Sequence, residues 1–154
     1  MLNDNQRAER EAARAEVAAK RKTASQHLEA AKACHDALAS LDVEINALQS
    51  RSGTILDPTN DESAMQEAIS TLARDISLVQ QRVFDRIGPL EDAIASGTSV
   101  DQPRKNLHQA AERANGRILP WREQLAELGA RADRCLAARA DHTERRDEIA
   151  NGST

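Results

Sequence analysis

The strongest constraint on this chain is a long run without helix breakers. From Gln6 to about Ser50 there is neither proline nor glycine, and apolar or small residues return every seven positions at Val17, Ala24, Ala31, Leu38 and Ile45. A second line, Ala13, Cys34, Leu41 and Leu48, is interleaved with the first and interrupted by Lys20 and His27. Two such lines form the a/d stripe of a helix that packs against other helices in the manner of a coiled coil. Alanine dominates the first half of the stripe and leucine and isoleucine the second, so the burial energy per turn rises along the helix. The first twenty residues are expected to be solvated helix that frays or seeks a partner. At 1.5 Å per residue, some 45 residues make a rod on the order of 65 Å long, which a compact globule does not hold.

Composition agrees with an all-α fold. Alanine accounts for 28 of the 154 residues, and Phe84 and Trp121 are the sole Phe and Trp, with no Tyr. Ala, Glu, Arg, Leu and Gln favour helices, while the β-branched and aromatic residues that favour strands are scarce.

Two further helices follow. Arg51-Ser52-Gly53 reads as the end of the first, and Asp57-Pro58 forbids its continuation. Thr59 with Glu62 three residues later is a capping box that places the second start near Asn60. Met65, Ile69, Leu72, Ile76, Val79, Val83, Phe84, Ile87, Leu90 and Ile94 then recur at helical spacing. Gly88-Pro89 predicts a kink or short break, and Gly97 a stop. Asp101 followed by Pro103 suits a third start. Ala111, Ile118, Leu125 and Ala132 occupy one of its heptad positions; Leu107, Ala114, Trp121, Leu128, Cys135, His142 and Ile149 occupy the other. Because this frame survives Asn115-Gly116 and Pro120, one kinked helix is expected there rather than two. The resulting boundaries are about 6–50, 60–96 with a break near 88, and 102–150.

Short connections impose antiparallel neighbours, so the expected architecture is one domain over residues 1–154, an elongated antiparallel three-helix bundle. Charge is consistent with it. Residues 1–50 carry 7 basic and 8 acidic groups, residues 51–101 carry 4 and 9, and residues 102–154 carry 10 and 8. An acidic middle helix is thereby steered toward a basic third one. A helical hairpin that forms a homodimer fits the same pattern.

The residues offer no reaction chemistry. No glycine-rich phosphate loop, nucleophile elbow or paired-carboxylate motif is present, so no catalytic residue, cofactor or small-molecule substrate is assigned. His27 lies seven residues before Cys34 and His142 seven after Cys135, roughly 10 Å along a helix axis, too far for shared ligation of one metal ion. Both cysteines read as small hydrophobes at heptad positions. A Cys34–Cys135 disulfide would need parallel first and third helices and an oxidising compartment. Cys34 and His35 are adjacent and point about 100° apart, which separates a thiol from a would-be base. His108 lies near the third helix start without a nucleophile beside it. The net charge of −4 and the lack of stacking rings argue against nucleic acid. The opening residues Met1 to Gln6 carry no signal-peptide pattern, and no apolar run approaches the roughly 20 residues of a membrane span. The expectation is a cytoplasmic protein that touches neither membrane nor nucleic acid.

What remains is protein–protein interaction. Length and richness in Ala, Arg and Glu resemble those of small helical stalk and chaperone subunits of bacterial secretion machines, a likeness of composition alone. Arginine outnumbers lysine 17 to 4, in keeping with a GC-rich bacterial or phage source. The leading expectation is a non-enzymatic scaffold, adaptor or chaperone-like subunit. The alternative is a phage or mobile-element inhibitor that occludes a bacterial enzyme or nucleoprotein complex with an acidic helical face. The candidate interface residues are Trp121 and Phe84, beside the two proline sites, and Asp75, Asp85, Glu91 and Asp92 on the second helix.

Overall fold

A computed structural model describes residues 3–55 and 62–152. Three helices, α1 (Asp4–Ile55), α2 (Ser63–Ser96) and α3 (Asp101–Gly152), pack against each other as an all-α three-helix bundle. The chain divides into two compact units, each containing a segment of every helix. Unit 1 is Met1–Leu38 with Val79–Gly116; unit 2 is Ala39–Leu78 with Arg117–Thr154.

Helix α1 opens on reciprocal caps. The Asn3 side-chain oxygen accepts from the Gln6 N–H at 2.8 Å, and Gln6 Oε1 accepts from the Asn3 N–H at 3.1 Å. The helix does not stop at Arg51-Ser52-Gly53 but runs on to Ile55. Ser52 is only 3% exposed and donates its hydroxyl to the Gln49 carbonyl at 2.8 Å, while the Arg51 guanidinium reaches Asp133 on α3 at 2.8 Å. These contacts and the burial of Ser52 accompany the last turn, where an internal glycine costs roughly 1 kcal/mol. The expected stop at Asp57-Pro58 and the cap at Thr59 lie outside the described residues. The Glu62 carbonyl accepts from the Gln66 N–H at 3.1 Å as α2 gets under way.

No break occurs at Gly88-Pro89; α2 is helical through both. Proline removes one backbone bond, the one to the Asp85 carbonyl four residues back, and Asp85 is exposed, so that carbonyl is open to solvent. Val83, Ile87 and Leu90, buried on either side, hold the helix in place. Gly97 ends α2 with φ of 70°, and the Thr98 N–H returns to the Ala93 carbonyl at 3.1 Å, the closing bond of a Schellman cap. Helix α3 starts where Asp101 and Pro103 predict, its first described backbone bond running from the Arg104 N–H to the Val100 carbonyl at 2.9 Å. It continues through Gly116 and the exposed Pro120.

Contacts within each unit give the helix directions. In unit 1, Lys32 of α1 meets Glu91 of α2 at 3.4 Å and His35 meets Phe84; in unit 2, Gln49 meets Ser70. Rising numbers on α1 thus oppose falling numbers on α2. Against α3 both rise together: Lys20 faces Asp101 and Cys34 faces Ala111 in unit 1, and Arg51 faces Asp133 in unit 2.

The two cores differ in side-chain size. Unit 1 buries Ala24, Leu28, Ala31, Cys34 and Leu38 from α1, Val79, Val83, Ile87, Leu90 and Ala93 from α2, and Leu107, Ala111 and Ala114 from α3, closed by Val100. Unit 2 buries Leu41, Ile45 and Leu48 with Ile69, Leu72, Ala73 and Ile76, and with Trp121, Leu128 and Ala132. Not every stripe member is buried. Val17 is 53% exposed, Phe84 56% and Ile149 71%, while Met65, Ile94, Ile118, Leu125 and Cys135 are half-buried.

Candidate functional site

The six candidate interface residues separate. Trp121 is 8% exposed and fills the core of unit 2, with the Arg117 guanidinium 5.4 Å from its ring centroid. It is therefore not an exposed anchor. Its seven-residue spacing from Ala114 and Leu128 puts it on the buried line of α3, while the neighbouring Pro120 is exposed.

Phe84 does the opposite. Helical spacing allowed it a place in the apolar stripe, but Val83 takes the core position and Phe84, 100° further round, faces out. Its ring lies against His35, with centroids 5.6 Å apart and planes inclined by 41°.

The acidic residues of α2 do not form one face. Asp85 and Asp92, seven apart and exposed, share a line with Leu78, whereas Arg74 interrupts the neighbouring line that carries Glu67. Asp75 is half-buried. Glu91 is ion-paired with Lys32, and Asp85 accepts from the Gln81 amide at 2.7 Å. A free row of carboxylates to imitate a phosphate backbone is thus reduced to short stretches.

Cys34 lacks the surroundings of a reactive thiol. Cys34 is buried, donates a weak hydrogen bond to the Ala111 carbonyl at 3.8 Å, and burial pushes its thiol pKa up, away from the reactive thiolate. Parallel α1 and α3 do not bring it level with Cys135. Its α3 neighbour Ala111 precedes Cys135 by 24 residues, and both thiols are free. His142 has no described side chain. Among the described residues no group of three or more His, Cys, Asp or Glu could hold a metal, and no helix is long and apolar enough to cross a membrane.

One polar cluster escaped the sequence. In unit 1 the rings of His27 on α1 and His108 on α3 are stacked, with centroids 4.1 Å apart and planes within 14° of parallel. Arg104 Nη1 lies 3.3 Å from His27 Nδ1, and His108 Nε2 lies 3.0 Å from Glu112 Oε1. A guanidinium only donates, so His27 Nδ1 is the acceptor and its ring is neutral, with its hydrogen on Nε2. The carboxylate of Glu112 only accepts, so His108 Nε2 carries the hydrogen of that contact. Burial first, then the electrostatic influence of His108 and the Arg104 guanidinium, hold the His27 pKa below the ordinary 6.5, with Glu112 pulling the other way.

A partial signal for this cluster was present. Arg104, His108 and Glu112 are spaced four apart, which aligns them on one face of α3, and His27 interrupts the α1 stripe. The missing information was the α1–α3 register, which nothing local specifies.

The other unusual feature is α1 before Ala24. Every residue from Asn3 to Thr23 is exposed, although all but the first are helical. Alanine content, the Asn3–Gln6 cap and the Glu16–Lys20 pair at 3.8 Å support the helix locally. Ala13, Arg14, Val17, Ala18 and Arg21 line a shallow, mainly apolar groove along it. At the far end of α3, Leu136 and Ile149 are likewise exposed. Family models, curated proteins and solved structures were all compared with the chain, and none matches it.

Proposed function

We propose that this chain is a non-enzymatic protein–protein interaction module: a helical scaffold, adaptor or chaperone-like subunit of a bacterial or phage system. The observation that carries the reading is the N-terminal part of α1. Twenty exposed residues of helix, Asp4 to Thr23, carry on the heptad register of the core, with Ala13 exposed and Val17 53% exposed on the stripe. An isolated helix of this length is marginal in water, and a partner helix laid on the stripe would stabilise it by burying the alanines and Val17. Exposed flanking charges, including Arg14, Glu16 and Lys20, would set the register of that partner.

The test is light scattering on a sizing column at low and high salt, with the protein alone and then with bacterial lysate, comparing the wild type with Ala13→Glu/Val17→Glu. The expected result is a larger species, either a homo-oligomer or a complex with a defined lysate protein, that the double substitution abolishes while the helical circular dichroism persists. A wild-type chain that stays monomeric and alone under every condition, or a complex indifferent to the substitutions, overturns the reading.

A further inference from the structure

We propose that the His27–His108 stack is a proton-operated clasp: it fastens α1 to α3 in unit 1 at neutral pH, and acidification releases the part of α1 that precedes Ala31. The inference rests on unit 1 alone and is independent of the proposed interaction role.

The geometry sets the direction of the response. Arg104 donates to His27 Nδ1 across 3.3 Å, so that nitrogen has to be bare. Protonating it replaces a donor–acceptor contact with two opposed N–H groups and two like charges. The new charge also lies against the His108 ring, 4.1 Å away centroid to centroid. The charged and titratable groups that act on His27 are all on α3, namely His108, Arg104 and Glu112. Glu112, the one group favouring the cation, is already engaged by His108 at 3.0 Å. On α1 and α2 the described ion pairs in this unit involve other residues: Lys20 with Glu16 and Asp101, Lys32 with Glu91, and His35 with Asp36.

Little apolar burial opposes the release. Around His27, α1 contributes Ala24, Leu28 and Ala31 to the core, and every described residue before Ala24 is exposed. Because the folded pKa of His27 is depressed, the unfolded or detached segment binds the proton more tightly than the clasped one. The clasp therefore contributes its full stability above about pH 6.5 and loses it as pH falls through the lower folded value.

Two measurements on the full chain test this. In an NMR titration the His27 ring is expected to titrate below 6.5, and Arg104→Gln, by removing a positive neighbour, to move its midpoint up. Amide exchange, corrected for its intrinsic pH dependence, should show protection at Ala24 and Leu28 falling by up to about tenfold for each unit of depression. Protection at Ile45 and Leu48 in unit 2 should hold, and His27→Gln should abolish the acid response. Four results would each overturn the clasp: a His27 midpoint at or above 6.5, no change of midpoint in Arg104→Gln, equal loss of protection in both units, or an acid response that survives in His27→Gln. The titration and Arg104→Gln arms stand even where His27→Gln does not fold.

Discussion

To the core of unit 1, α1 contributes Ala24, Ala31 and Cys34 beside Leu28 and Leu38, whereas in unit 2 the same helix contributes Leu41, Ile45 and Leu48. On α3 the contrast repeats, with Leu107, Ala111 and Ala114 in unit 1 against Trp121, Leu128 and Ala132 in unit 2. An alanine buries three carbons fewer than a leucine, a difference of about 2 kcal/mol of burial at each fully buried site. Unit 1 is thus the one in which polar contacts weigh more. It holds the stacked histidines and the Lys20–Asp101 and Lys32–Glu91 pairs. The two pairs are largely exposed and contribute about 0–1 kcal/mol each, so they select the neighbour more than they stabilise it. One sequence periodicity therefore supports two cores, one in unit 2 with few alanines and one in unit 1 that mixes leucines, valines and an isoleucine with alanines and has the stacked histidines beside it.

The contrast predicts a graded set of responses. Leu41→Asp places an unpaired charge in the core of unit 2 and is expected to abolish cooperative thermal melting followed by circular dichroism; an unchanged melting temperature would break the heptad assignment of Leu41. Trp121→Ala should cost about 3–5 kcal/mol in urea unfolding, and near-normal stability would return Trp121 to the surface. Ala31→Leu, which overpacks unit 1, should cost about 1–3 kcal/mol; a gain in stability would mean that the small-residue core has room to spare. Gly97→Ala forces a left-handed backbone on a residue with a Cβ, 3.2 Å from the Arg21 guanidinium, and should cost about 1–2 kcal/mol in the same assay. Val17→Ser, on the exposed part of α1, should change stability by less than about 0.5 kcal/mol; a larger loss would show that the residue is buried in an assembly.

Much of this was legible in residue order. The stripe through Ala24, Ala31, Leu38 and Ile45 is buried as the spacing predicts, and the exposed start of α1 follows from its alanines and interrupting Lys20. Gly97 stops α2, and Asp101 with Pro103 opens α3. The errors share one cause. The helix end expected at Gly53 and the short break expected, as the alternative to a kink, at Gly88-Pro89 were inferred from local propensity; the helix continues through both, beside the Arg51–Asp133 pair, the Gln66 amide at the Ser52 carbonyl and the buried Val83, Ile87 and Leu90. Phe84 and Ile149 satisfied a periodicity without being buried, because spacing gives a face and not the neighbour that covers it.

For the candidate sites the division is sharper. Residue types alone exclude a familiar catalytic motif, and they place Arg104, His108 and Glu112 on one helical face. That His27 meets this face is a matter of the α1–α3 register, fixed by the summed packing of many side chains. Helix type, capping signals and the small-to-large gradient of the stripe were determined by the sequence itself, since each is a property of residues within a few turns. Which turns survive a glycine or proline, whether Trp121 is core or surface, and which histidines touch were decided only in the tertiary structure, where burial energies from distant segments outweigh local costs of about 1 kcal/mol for a glycine and about 3 kcal/mol for a proline.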